Sequence, residues 1–303
     1  MTRILLFGKN GQIGNEAFHQ LSRFSEVIHV SLPEFDITDL TRLEKLIRNI
    51  SPDIIYNAAA YTDVDRAESE ENKVFLVNAT APEVMAKTAA RINALFIHFS
   101  TDYVFDGSKT IEYTENDLPH PVNLYGKSKF IGEKRVLATD CDALIFRSSW
   151  IYSLNNGGFV LKVLEWAKKE TELRIVFDQV SNPTWARTLV QITSLIIKRW
   201  EIDRNFVIRN KGIYNISASG NVSRYEWAKK ILSLYPFKKE IVAKKITPVL
   251  TSEFPTPAKR PLYTPLNNKK LIDTFDVSQI NWLYALRNAM GEIKVNQNNC
   301  NGV

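Results

Sequence analysis

Tyr125-Gly126-Lys127-Ser128-Lys129 sets a phenol and an ammonium four residues apart, hence on one face of a helix. A free tyrosine titrates near about 10, too high for easy proton exchange at neutral pH, and a neighbouring cation lowers that value by stabilising the phenolate. The spacing alone is cheap: the chain has 11 tyrosines, and Tyr225 with Lys229 repeats it. What separates the two pairs is what precedes them. Leu95 to Phe99 reads as an apolar strand with Ser100-Thr101-Asp102 at its carboxyl end, where open α/β sheets bind ligands. Nothing comparable stands ahead of Tyr225, so that pair is assigned to an ordinary amphipathic helix. A carbonyl held at the strand end would accept hydrogen bonds from Thr101 and Tyr125 as a hydride arrives, and Tyr125 would then protonate the new alkoxide.

A hydride needs a carrier, and the start of the chain has the residues for one. Gly8-Lys9-Asn10-Gly11-Gln12-Ile13-Gly14 follows the strand-like run Arg3 to Phe7 and opens a helix. Glycines there permit a tight turn and bring backbone N–H groups and the positive helix end up to a pyrophosphate. The spacing is GxxGxxG, not GxGxxG. The second strand ends at Ser31 with no carboxylate, which removes a repulsion against a 2′-phosphate and favours NADPH, with NADH also accepted. Asp36-Ile37 are in position to flank the adenine, and Asn57-Ala58-Ala59-Ala60 puts small side chains at the end of the third strand.

These groups need a parallel sheet to carry them. Strands are expected at Arg3 to Phe7, Glu26 to Val30, Ile54 to Asn57, Leu95 to Ser100 and Ala143 to Arg147. Helices are expected between them near Gly14 to Leu21, Leu40 to Ile50, Lys73 to Ile92 and Tyr125 to Leu137. The fold class is therefore α/β, a Rossmann-type doubly wound sheet over residues 1–150. A smaller mixed α/β substrate-binding domain is expected over 151–303, some of whose segments return to the first. The tail after Asn296 is expected to fray.

The bulk properties fit an enzyme-sized globular protein: 303 residues, 45% hydrophobic and 24% charged. The net charge of +6 is spread in short doublets such as Lys168-Lys169, which suits solvated helix faces and anionic small molecules and gives no nucleic-acid module. Cys141 and Cys300 have no disulfide or metal spacing, the four histidines are scattered, and no metal site is expected. Met1 runs straight into the first strand with no leader pattern, and no apolar stretch is long enough to span a membrane. A reducing cytoplasm is the expected compartment, so the sequons at Asn78, Asn215 and Asn221 carry no glycosylation argument.

Taken together, the motifs resemble the dTDP-4-dehydrorhamnose reductases, nearly end to end. The resemblance runs through Leu5-Leu6-Phe7-Gly8-Lys9, Gly11-Gln12-Ile13-Gly14, Asn57-Ala58-Ala59-Ala60-Tyr61-Thr62, Ala67-Glu68-Ser69-Glu70, Ser100 to Phe105, Tyr125 to Lys129 and Phe146 to Trp150. It continues in Asp178-Gln179, Pro183-Thr184 and Pro255-Thr256-Pro257-Ala258 to Arg260-Pro261. It implies NADPH-dependent reduction of dTDP-4-dehydro-L-rhamnose to dTDP-L-rhamnose. Gly8, Gly11, Gln12, Ile13, Asp36, Ile37, Ala60, Tyr61 and Thr62, with Tyr125 and Lys129, are implied to hold the cofactor. Thr101, Asp102 and Trp150 are implied to face the sugar nucleotide, and Tyr125 to donate the proton; Arg260 has the planar fork that suits a substrate phosphate.

Three departures accompany the likeness. Ser181 and Asn182 stand where the family commonly has Gly and Ala. Arg187 replaces an acidic position that helps bind magnesium between subunits in some members, so any homodimer is expected without that bridge. Leu262-Tyr263-Thr264-Pro265 replaces a polar segment. Two other functions share the motifs: a related 4-ketoreductase making another deoxysugar epimer, and a non-catalytic regulatory subunit of the methionine adenosyltransferase type. Intact Thr101, Tyr125 and Lys129 argue against the second.

Overall fold

The computed structural model describes residues 1–300 apart from Asn156, with side chains described as far as Ile293. The tail expected to fray therefore lies outside the residues whose side chains are described, as does Cys300.

The first half alternates strictly between strand and helix. β1 (Arg3–Phe7), α1 (Gln12–Leu21), β2 (Glu26–Val30), α2 (Leu40–Ile50) and β3 (Ile54–Asn57) come first. Then follow α3 (Val64–Ala67), α4 (Glu71–Phe75), a π-helical turn (Leu76–Thr80), α5 (Ala81–Arg91), β4 (Leu95–Thr101), a 3-10 turn (Asp102–Val104), α6 (Leu124–Leu137) and β5 (Ala143–Ser148). The second half contributes β6 (Ile151–Tyr152), α7 (Gly158–Lys169), β7 (Glu172–Val176), β8 (Val180–Ser181), β9 (Thr184–Trp185), α8 (Ala186–Ile202), α9 (Arg204–Arg209) and β10 (Gly212–Asn215). Its last elements are β11 (Val222–Ser223), α10 (Arg224–Leu234), β12 (Lys245–Val249), α11 (Lys269–Phe275) and α12 (Trp282–Cys300).

Six parallel strands form one sheet in the order β10-β5-β4-β3-β1-β2. Side chains alternate across a strand, so β1 sends Ile4 and Leu6 to one face and Leu5 and Phe7 to the other. The first pair packs with α1 and α8 around Ala17, Leu189 and Ile197, the second with α2 and α5 around Leu43, Ile47 and Met85. Both faces are covered, which is why β1 reads as a near-continuous apolar run. Each fully buried Leu or Ile there contributes roughly 1.5–3 kcal/mol. A separate core, built on Trp150, Tyr152, Trp227 and Leu286, joins α7, α10 and α12. Helix α8 and strand β10, from the second half of the chain, complete the dinucleotide-type sheet.

The direction of chain progression reverses between β1 and β3, so the crevice outside their carboxyl ends is the place where this architecture takes ligands. One expected helix is altered. Lys73 to Ile92 is interrupted by the π-helical turn at Leu76–Thr80, where the widened backbone carries the fully buried Asn78. No helix among the described residues is long and apolar enough to cross a membrane.

Candidate active site

At the end of β1 the chain turns on Gly8, whose φ of +82 suits glycine, and a Cβ on Gly14 would lie 2.0 Å from the Gly8 carbonyl oxygen. The turn and the start of α1 are therefore packed as tightly as a bare backbone permits. Helix α1 begins at Gly11 with no side-chain cap and no acid in its first turn, and the buried Gln12 Oε1 has no protein partner. The N–H groups of Gln12 and Ile13 at the open start of α1, a positive helix end and the absence of a competing carboxylate form a cradle for a pyrophosphate, with Gly8 and Gly11 shaping the tight turn beneath it, so Gly8, Gly11, Gln12 and Ile13 fit a dinucleotide. The loop after β3 is held by Asn57, which donates to His98 Nδ1 (3.0 Å) and accepts from the Ala59 N–H (3.1 Å). Burial, and then the Lys129 charge, push His98 well below its ordinary pKa, so it stays neutral. Asp36 makes a local turn by accepting from the Thr38 N–H and hydroxyl. At the end of β2, Ser31 accepts from the Asn10 N–H (3.2 Å).

Helix α6 brings up the reactive pair. Asn123 caps it by accepting from the Gly126 N–H (2.8 Å) and ties it to the Lys259 carbonyl (2.8 Å). A Cβ on Gly126 would lie 2.1 Å from the Tyr103 carbonyl oxygen, so glycine beside Tyr125 lets the helix rest on the turn that follows β4. Tyr125 meets the Tyr103 ring edge-on at 5.9 Å, and the Thr101 hydroxyl beside it favours its phenolate. Asn78, which sequence reading treated only as a sequon, locks this arrangement. Its side chain accepts from the Tyr61 N–H (2.9 Å) and donates to the Tyr61 carbonyl and to Ser128 Oγ (3.0 Å each), while Ser128 donates to the Tyr125 carbonyl (2.7 Å).

The electrostatics correct one expectation. Lys129 is buried, and its ammonium donates to the Phe99 carbonyl (2.5 Å) instead of setting the state of Tyr125. Burial pushes the Tyr125 phenol above its ordinary value, the Thr101 hydrogen bond pulls it down, and the charges of Asp102 and Tyr103 add to the rise. Burial pushes Lys129 down to about 8, with Glu133 pulling it back. Desolvation thus outweighs the helix spacing: the phenol is a firmly protonated donor, and the amine is poised to lose or share a proton. Thr101 is also more committed than expected. It accepts from the Tyr103 N–H (3.1 Å) and donates to Asp102 Oδ1 (3.1 Å), so its single proton is directed to the carboxylate.

Beside Tyr103 opens a cleft of about 440 Å³ lined by Thr62, Tyr103, Trp150, Gln179, Arg224 and Arg260, among others. Trp150, with φ at +42, stacks on Trp227 at 5.6 Å and 12°. Arg260 faces the cleft as expected, but its guanidinium is already paired with Asp65 (2.8 and 3.0 Å). The cation that sequence reading missed is Arg224. It lies 3.7 Å from the centre of the Trp150 ring, beside Tyr103, and makes no ion pair among the described residues. Burial pushes its pKa down, against the pull of Tyr103 and Asp102. A guanidinium on an aromatic face with no carboxylate of its own suits an anionic, ring-bearing ligand. No local signal marks Arg224 among the 39 lysines and arginines, because its setting is assembled from β5, α7 and α10.

Away from the cleft, Arg187 pairs with Glu16 and Glu292, so a cation of the chain itself holds that cluster. Cys141 is a buried thiol, and burial pushes its pKa up.

A family model described as the RmlD substrate binding domain matches residues 1–295. The dTDP-4-dehydrorhamnose reductase of Burkholderia thailandensis is 36% identical over 287 residues, covering 94% of this chain and 96% of its own length. The crystal structure of a dTDP-4-dehydrorhamnose reductase from Clostridium acetobutylicum matches with a TM-score of 0.87 at 33% identity, covering 96% of this chain and 99% of that one. A structure of dTDP-4-dehydrorhamnose reductase from Bacillus anthracis, in complex with NADP, matches with a TM-score of 0.85 at 29% identity and the same coverage of both chains. With the glycine cradle, Tyr125 beside the buried Lys129 and the cationic aromatic cleft on one continuous fold, the chain belongs to the dTDP-4-dehydrorhamnose reductase family.

Proposed function

We propose that this protein reduces the 4-keto group of dTDP-4-dehydro-L-rhamnose to give dTDP-L-rhamnose, with NADPH as reductant, in cytoplasmic deoxysugar synthesis for polysaccharides. The observation that carries the reading is the meeting of Tyr125 and Thr101 at the end of β4 with a cleft that offers Arg224 on the face of Trp150. Residues 151–303 act as the substrate-binding half in this reading.

Bound NADPH supplies the hydride. The N–H groups of Gln12 and Ile13 would hold its pyrophosphate, and the loop of Ala60, Tyr61 and Thr62 is kept in place by Asn57 and Asn78. Lys129 is within one helical turn of Tyr125 to orient a ribose hydroxyl. Arg224 and the Trp150 ring take the diphosphate and base end of the substrate, which leaves the sugar toward Thr101 and Tyr125. As C4 accepts the hydride, Tyr125 transfers its phenolic proton to O4, so the ketone becomes an alcohol and the phenolate is reprotonated from solvent. A donor aimed at the developing alkoxide lowers the barrier.

The test is a coupled assay with enzymatically made 4-keto sugar nucleotide, read as NADPH oxidation, with the product identified by NMR. Formation of dTDP-L-rhamnose supports the reading; a different C4 epimer replaces the substrate assignment with the related reductase, and no oxidation at all rejects it. Side-by-side kinetics test the cofactor. Ser31 at the end of β2 supports NADPH, and a much higher kcat/KM for NADH would overturn that preference.

A further inference from the structure

Asp102 is buried at the centre of a hydroxyl cluster that the proposed reaction does not by itself require. Its Oδ2 accepts from Thr264 Oγ1 at 2.6 Å and from Ser181 Oγ at 3.3 Å, while its Oδ1 accepts only from Thr101 at 3.1 Å. Ser181 in turn accepts from Ser149 Oγ at 2.6 Å, and Ser149 is fixed by accepting from the Asn182 N–H (3.2 Å). Thr264 and Ser181 belong to two separate segments of the second half of the chain, tied together by the Thr264 N–H to Val180 carbonyl bond (3.0 Å).

The asymmetry between the two carboxylate oxygens has a chemical consequence. While Asp102 is ionised, the one proton of Thr101 is drawn to Oδ1, and the threonine cannot give it to a substrate oxygen. When Asp102 takes up a proton, Oδ2 is already engaged by two hydroxyl donors, so the proton sits on Oδ1 and is given to Thr101 Oγ1. The Thr101 proton is then released toward its other neighbour, the site occupied by the Tyr125 hydroxyl and the substrate carbonyl. We propose that Ser181 and Thr264 are positioning residues that reserve one oxygen of Asp102, so that the protonation of Asp102 decides whether Thr101 donates to the ketone or to the carboxylate.

This inference rests on the substrate reading above for the identity of the ketone, but its first half concerns the protein alone. Burial pushes Asp102 up to about 6, against the pull of the Thr264, Thr101 and Ser181 hydroxyls and of the Arg224 charge, so the switch falls in an accessible pH range. The other groups facing the carboxylate are the Tyr103 and Tyr125 phenols, both raised by burial and neutral through that range. Lys129 lies behind Tyr125, bonded to Phe99.

Two measurements test the idea. The first is substrate-free: infrared titration of the buried carboxyl band, assigned by its loss in Asp102→Asn. Removing the Thr264 hydroxyl with the isosteric Thr264→Val takes away a bond that favours the carboxylate, so the titration moves up by about one pH unit, and Thr264→Ser restores it. The second is the single-turnover rate of NADPH oxidation against pH. Wild type loses rate as pH rises through the Asp102 value, and in Thr264→Val that falling limb shifts to higher pH by the same amount, with little change in KM. An unshifted limb and band in Thr264→Val, or no restoration by Thr264→Ser, overturns the proposal. If Thr264→Val does not fold, Ser181→Ala is titrated in the same way against the same expectations. Wild-type protein that oxidises no NADPH with the 4-keto sugar nucleotide defeats the substrate reading instead, and the infrared band then decides whether the Asp102 cage itself stands.

Discussion

Helices α6 and α10 each carry a tyrosine with a lysine one turn later, and they share nothing else. The buried face of α6 is Gly126, Ser128, Lys129, Gly132, Glu133 and Val136, whereas that of α10 is Trp227, Ala228 and Ile231. Lys229 stays in solvent, 5.1 Å from the centre of the Tyr225 ring and 3.0 Å from Glu226, as an ordinary exposed ion pair. Lys129 is 1% exposed. A polar face can be buried only if every group on it is partnered. On α6 Lys129 reaches the Phe99 carbonyl, Ser128 meets Asn78, and Glu133 holds Arg147 in two bonds of 2.7 and 2.9 Å. Burial has moved both groups of the pair on α6 away from their solution behaviour, which supports the proposal that this pair is the reactive one. The spacing is only the precondition.

Substitutions break this comparison in graded ways. Tyr125→Phe removes the proton donor and lowers single-turnover NADPH oxidation by about 10²–10⁴-fold while leaving cofactor affinity, read by fluorescence titration, unchanged. Near-normal turnover in that variant would place the chemistry elsewhere. Glu133→Ala leaves the buried Arg147 guanidinium without its partner, on the sheet side of the same helix. It is expected to cost about 3–5 kcal/mol in chemical denaturation, against no measurable change for Glu226→Ala on α10. Equal losses from the two would mean that burial does not separate the helices.

Smaller effects sharpen the contrast further. Arg224, the first residue of α10, brings that helix's charge into the cleft, with Trp227 one turn later also lining it. Arg224→Gln is expected to raise KM for the sugar nucleotide by about tenfold or more, the worth of a charge-assisted bond of ~1.5–3 kcal/mol, with kcat little altered. An unchanged KM would remove Arg224 from the nucleotide end. At the bottom of the scale, Tyr225→Phe and Lys229→Ala should leave turnover and cofactor affinity as they are in the same assays, and a loss comparable to Tyr125→Phe would reverse the assignment of the two pairs.

Much of this was open to reading in the sequence. Alternation of apolar runs with amphipathic stretches located β1 to β5 to within a residue of their observed ends, because strands buried on both faces must be continuously apolar. The glycine turn and the Tyr125 pair were legible because each is a local requirement written in adjacent residues. The π-helical turn was not: nothing in Leu76 to Thr80 announces it, and it exists because Asn78 must reach Tyr61 and Ser128 together. Nor was the role of Lys129, since spacing on a helix says which groups are neighbours and nothing about the carbonyl of a different strand.

The chain by itself thus determined the α/β sheet, the nucleotide turn and the family, since all three depend on short-range periodicity and on backbone positions that only glycine tolerates. Tertiary structure alone decided which of two identical pairs is reactive, which arginine is left to meet an anion and what surrounds Asp102. Those properties depend on burial and on contacts between residues as distant as Asp102 and Thr264, which stand 162 positions apart and leave no trace of the meeting in the sequence. Desolvation and long-range hydrogen bonds set the chemistry, and both come into existence only when the chain is folded.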